Sequence, residues 1–147
     1  MPRHEIDITR YERVGGTDAG GYRLAEPGIL VAVPREGYRQ TIEGARASLA
    51  EQVRLSKEAG TPLAVLVLVE RVRDQDRGSR QVWIHETDPQ YLLGLGLVGV
   101  TPLARAIGSF FMGLTRPRVP TSLLADLDEG LRWARDLRAK ADGGKAD

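Results

Sequence analysis

Apolar and polar positions along the chain follow two periods, one of two residues and one near 3.6. Near the start, Ile6, Ile8 and Tyr11 alternate with polar residues and predict a weak first strand. VGGTDAGG, Val14 to Gly21, reads as a turn or flexible loop on its glycines. Tyr22 and Leu24, then Ile29 to Val33, predict two strands joined through Glu26-Pro27-Gly28 as a hairpin. The period then becomes helical over 41–59. Ile42, Ala45, Leu49 and Val53 share one face, and Arg46, Glu51, Arg54 and Glu58 are left for solvent. Gly60 supplies a C-terminal stop, because it adopts the left-handed conformation cheaply.

PLAVLVLV, Pro62 to Val69, is short and nearly all apolar, as a strand buried on both faces of a parallel sheet reads. Arg71 to Arg80 is very polar and predicts an exposed segment. Gln81 to Glu86 predicts a short helix, ended at Thr87-Asp88-Pro89 because the residue before a proline avoids helical angles. Tyr91 to Val100 is a further buried strand, kept slim by Gly94, Gly96 and Gly99. Thr101 and Pro102 open the next helix as cap and first-turn residue, and Pro117 and Pro120 stop it. Val119 to Leu124 predicts a last strand. Asp126 to Glu129 resembles a capping box before a final helix over about 127–139.

The resulting order, β-β-α-β-α-β-α-β-α with one extra strand at the start, predicts an α/β sandwich with right-handed crossovers. The expected sheet is mostly parallel, with four to six strands and about four helices. One domain is expected over 22–140. It follows an N-terminal strand and flexible loop over 1–21 and precedes a disordered tail over 141–147.

Composition narrows the class. Hydrophobic residues make up 41% and charged residues 28%, an ordinary globular balance, and the formal net charge of +1 argues against nucleic acid as a partner. There is no cysteine, so disulfides and thiolate metal sites are excluded and a cytoplasmic setting fits. The N-terminus has no apolar core of a signal peptide. The longest apolar run falls far short of the roughly 20 residues of a membrane span.

Few residues carry recognisable chemistry. His4 and His85 have no metal-ligand spacing around them. Gly94-Leu-Gly96-Leu-Val-Gly99 satisfies GxGxxG by letter but lacks the strand-to-helix context and the later acidic residue, so slim residues under a packed helix are the better reading. Ser79 in DQDRGSR has no nucleophile elbow. It is a candidate helix cap, or a phosphorylation site near a helix N-terminus. No convergent acid, base, metal or cofactor set emerges, so no enzyme and no cofactor are expected. In the helix over 101–114, Leu103, Ile107, Phe110 and Leu114 form one stripe, which Ala104, Phe111 and Met112 widen. An apolar excess on a surface helix points to an interface. Arg105, Arg116 and Arg118 bracket it, and with Phe111 and Met112 they make the candidate interaction surface.

Thr101-Pro102-Leu103-Ala104-Arg105-Ala106, Phe110-Phe111, Arg116-Pro117-Arg118-Val119-Pro120-Thr121 and Gly130-Leu131-Arg132-Trp133 resemble the C-terminal half of the SpoIIAA-like proteins, the STAS/SEC14-type domains. The resemblance covers about the last third of the chain in motifs and the rest in architecture only. It implies an α/β sandwich without an enzyme site. Related STAS domains are phosphorylation-controlled antagonists of anti-sigma factors, with the target serine in an Asp-Ser-Ser/Thr-Gly motif. Here Arg77 and Gly78 follow Asp76, so that role is not carried onto Ser79. The SEC14-like side implies an apolar ligand or a membrane surface. Two functions are therefore expected: a regulatory protein-interaction module, self-associating as a homodimer through the helix, or a module binding lipid or another apolar ligand.

Overall fold

The computed structural model describes residues 7–113 and 118–145. Two tight turns fix the first half of its sheet. β1 (Glu12–Thr17) folds back on β2 (Gly20–Glu26) through Asp18-Ala19, where the Thr17 hydroxyl accepts the Ala19 amide at 3.1 Å. β2 folds back on β3 (Ile29–Pro34) through Pro27-Gly28, with Gly28 at φ 83°. Links of two residues permit only antiparallel pairing. β4 (Tyr38–Gln40) and α1 (Ile42–Ala59) follow, then β5 (Leu63–Leu68), β6 (Val72–Gln75), α2 (Arg77–His85) and β7 (Leu92–Val98). α3 (Pro102–Gly113), β8 (Thr121–Leu124) and α4 (Leu127–Lys145) complete the described chain.

The main sheet runs β1-β2-β3-β5-β7-β8, and β4 pairs with β6 in a separate parallel ribbon. β3, β5, β7 and β8 are parallel neighbours. The six-stranded α/β sheet and four helices match the coarse expectation. The sheet is mixed, however, where a mostly parallel one was expected, because both hairpins are antiparallel. VGGTDAGG is the first of those hairpins and not a loop: its glycines pair across the ladder under α1, and Glu51 of α1 accepts the Gly16 amide at 2.8 Å. The strand expected near Ile8 is a 3-10 turn over Ile8–Arg10, held because the Asp7 carboxylate accepts the Thr9 amide at 3.0 Å. The expected boundary at 21/22 falls inside β2, and the expected tail begins inside α4.

Apolar strands are sorted by alternation. Leu63 and Val65 of β5 join Leu95 and Leu97 of β7 in one core, with Ala45 and Leu49 of α1, Val82 and Trp83 of α2, and Ala104 and Ile107 of α3. Ala64 and Leu66 join Ile29, Val98, Leu124 and, from α4, Leu131 and Ala134 in a second core on the other face. Helix ends obey the predicted grammar. Thr41 accepts the Gly44 amide at 3.0 Å, Thr101 accepts the Ala104 amide at 3.1 Å, and Gly60 closes α1 at φ 72°. Asp126 accepts the Glu129 amide at 2.9 Å, and the Glu129 carboxylate accepts the Ala125 amide at 2.9 Å.

Candidate functional site: an apolar cavity with an amide chain

The sheet face beneath α1, α2 and α3 is not filled. A cavity of about 50 Å³, open in part to solvent, lies between the β1–β2 turn, the end of β3, the β4–β6 ribbon and α1. A second lobe of about 40 Å³ lies toward β7 and Ile107 of α3. Gln40, Val67, Val72 and Trp83 border both lobes. Mainly apolar walls with a few polar groups are the lining of small-molecule sites, although each lobe is far smaller than the several hundred Å³ usual for a drug-sized ligand.

The polar groups come from short or unexpected elements. Gln40 ends β4 and Gln75 ends β6, and parallel pairing sets them side by side. Gln75 Nε2 donates to Gln40 Oε1 at 2.5 Å, and Trp83 Nε1 donates to the same oxygen at 3.0 Å. Arg80 Nε donates to Gln75 Oε1 at 3.0 Å. In the first lobe, Tyr22 Oη donates to the Ser48 carbonyl at 3.3 Å and accepts from Gln52 Nε2 at 2.9 Å. Burial pushes the Tyr22 phenol up to about 12, against the opposing pull of the Gln52 and Ser48 side chains. Gln52 Oε1 is sealed and has no partner. Tyr38, at the rim, is also raised, chiefly by burial.

The residues singled out in the sequence fall elsewhere or are not described. Arg105 is exposed on α3. Arg118 donates from Nη1 to the His85 carbonyl at 2.8 Å, so it ties off the C-terminal end of α2. The backbone of Phe111 and Met112 lies in α3, but their side chains, that of Phe110, and all of Arg116, Leu114 and His4 lie outside the described residues. Ser79 is fully buried in the first turn of α2, and its hydroxyl donates to the Asp76 carbonyl at 2.6 Å. A kinase reaches that oxygen only after the turn opens. His85 is exposed, 3.0 Å from the Gln81 side-chain carbonyl. Gly94 and Gly96 do lie under a packed helix: a Cβ on Gly96 would stand 3.0 Å from the Trp133 ring of α4.

Sequence reasoning missed Gln40, Gln52, Gln75 and Trp83 as a group. For Gln52 a signal existed. Ala45, Ser48, Leu49, Gln52, Leu55 and Ser56 are the buried face of α1, a stripe rotated from the expected one, and Ile42 is 37% exposed. β4 and β6 are too short to read from periodicity.

The family that matches is described as a domain of unknown function (DUF7793), over residues 23–138. The chain belongs to this family. The span matched to the family includes Gln40, Gln52, Gln75 and Trp83, and leaves out β1 and the turn that walls the first lobe. No curated protein matches the chain.

Proposed function

We propose that the protein is a non-catalytic binding module of the STAS/SEC14 type that takes a small apolar ligand between the sheet and α1, α2 and α3. The observation that carries this reading is the pair of adjoining lobes, whose walls include Ala32, Val67, Val72, Leu97 and Ile107. Leaving such walls against water forfeits about 25 cal/mol for each Å² of apolar surface that a ligand would cover. The placement also fits open α/β sheets, which bind ligands beyond the carboxyl ends of their parallel strands. Val33 and Val67, near the ends of β3 and β5, border the first lobe. Among the described residues no helix is long and apolar enough to cross a membrane.

The two tryptophans supply a test, because Trp83 borders both lobes and Trp133 packs on the opposite core. In a Trp133→Phe background, titration with a medium-chain apolar compound should change Trp83 emission saturably. Native mass spectrometry of freshly purified protein should show a mass above that of the chain. A clean chain mass together with an unresponsive Trp83 rejects the reading.

A second reading, self-association through α3 and its surroundings, draws on a different observation. Val100, just before α3, is 50% exposed, and Leu123 of the edge strand β8 is 39% exposed. Arg105 and the 110–118 region adjoin them in sequence. Light scattering of the wild type and of Leu123→Lys tests it: a dimer that becomes monomeric supports it, and a wild-type monomer at high concentration removes it.

A further inference from the structure

The main sheet has two edges, and they are finished differently. At β1 the backbone is answered from within the chain. The Gly16 amide donates to the Glu51 carboxylate at 2.8 Å, Arg13 Nε donates to the Gly15 carbonyl at 3.3 Å, and the register shifts between Arg13 and Gly15. Bulges and charged residues are how edges are kept from pairing with other chains. β8 has neither: it reads TSLL, its ladder to β7 is regular, and Leu123 is 39% exposed. The Leu95 amide donates to the Pro120 carbonyl and the Gly99 amide to the Leu124 carbonyl, both at 2.9 Å. With Leu95 opposite Thr121 and Leu97 opposite Leu123, the ladder turns the backbone groups of Pro120, Ser122 and Leu124 to β7 and those of Thr121 and Leu123 away from it. Among the described residues nothing pairs with Thr121 and Leu123 on that outer side. Beyond them the edge closes. The Val119 carbonyl accepts the Thr121 hydroxyl at 3.2 Å, and the Ala125 amide donates to Glu129 at 2.9 Å.

We infer that β8 pairs antiparallel with β8 of a second copy, about a twofold axis at Ser122, joining two sheets into one. This rests on the self-association reading above and names its surface. The register identifies the occupant. With Ser122 opposite Ser122 of the second copy, Thr121 of each chain faces Leu123 of the other. Each such pair exchanges both N–H···O bonds, so the outward groups of Thr121 and Leu123 are all answered. The exposed Leu123 side chain then lies beside Thr121 of the other copy. Charge agrees with this pairing. Arg118 precedes β8 and is exposed, and Asp126 and Asp128 follow it and are exposed. Antiparallel pairing turns the basic end of each strand toward the acidic end of the other, whereas parallel pairing sets like charges together. One patch meeting itself closes as a dimer and leaves no surface for a fibre.

The chain has no cysteine, so Ser122→Cys carries a single thiol, which the twofold pairing sets against its own copy. Cα atoms in such a pair stand about 4.5 Å apart, within the roughly 4.4–6.8 Å that a disulfide spans. Under mild oxidation Ser122→Cys should form a linked dimer on the order of 100-fold faster than Val100→Cys, which is exposed but lies off the axis. In the wild type at dimer concentration, the Thr121 and Leu123 amides should resist hydrogen exchange and lose that protection on dilution. Leu123→Pro removes an outward N–H and no bond to β7, so light scattering should show a folded monomer. Should that variant fail to fold, the cross-link decides, because it leaves the strand intact. A wild-type dimer in which Ser122→Cys links no faster than Val100→Cys overturns the edge pairing and leaves self-association through another surface standing. A wild type that stays monomeric at high concentration overturns both.

Discussion

Under α4, a Cβ on Gly96 would stand 2.7 Å from Leu66 and 2.9 Å from Leu124, so helix and sheet meet with no room for one more carbon. Across the same strands, under α2 and α3, Val67 and Leu97 border a cavity. One sheet thus carries a sealed face and an open one. The sealed face is closed by a single long helix lying on glycines. The open face is covered by three helices and a two-stranded ribbon, and cavities remain between them and the sheet. Close packing is what proteins default to. The face that departs from it is also where the buried amides gather, and that coincidence makes the site.

Four changes would break or sharpen this contrast. The largest effect should come from Leu66→Ala on the sealed face. Leu66 has no exposure, and its loss should cost about 2–5 kcal/mol in urea unfolding with an unchanged slope. A cost near zero would mean that this face is not sealed.

On the open side, Tyr22 should make stability fall in alkali. Its phenol is raised by burial from an ordinary value near 10 to about 12. A raised pKa gives a contribution fully present below about pH 10 and lost as pH rises through about 12. The loss should total about 3 kcal/mol. Tyr22→Phe should flatten that fall relative to the wild type. Two curves that stay parallel from pH 9 to 12 would contradict the burial of Tyr22.

Gly96→Ala should cost about 1–3 kcal/mol, because Leu66, Leu124 and the Trp133 ring must all give way. The smallest effect should be Val67→Ile, the same addition of one carbon on the open face. It should be neutral or stabilising by up to about 1 kcal/mol, while weakening ligand binding. Equal losses for the two substitutions would erase the distinction between the faces.

Much of the frame was legible in the chain. Apolar runs such as 62–69 and 91–100 read as buried strands, and Gly60, Thr101 and Asp126 marked helix ends by local backbone preference and hydrogen bonding, which depend on near neighbours alone. The glycine-rich hairpin was not legible. Glycines signal turns by conformational freedom, but here Gly15 is small so that α1 can lie against β1, where a Cβ would meet Glu51, Arg54 and Leu55 of a helix that begins only at Ile42. The candidate site was legible only in fragments. Gln52 sat on a helical stripe that could have been read, whereas Gln40 and Gln75 are 35 positions apart and meet through a ribbon of three- and four-residue strands.

The sequence by itself therefore determined the kind of element at most positions, where the main helices begin, and that alternating helices and buried strands would make an α/β sheet. It did so because propensity, capping and periodicity act over a few residues. The tertiary structure decided which face of the sheet is sealed, which side chains turn inward on α1, and that Gln40 and Gln75 meet beside Trp83. Those outcomes depend on how elements distant in sequence pack. No local pattern carries that information.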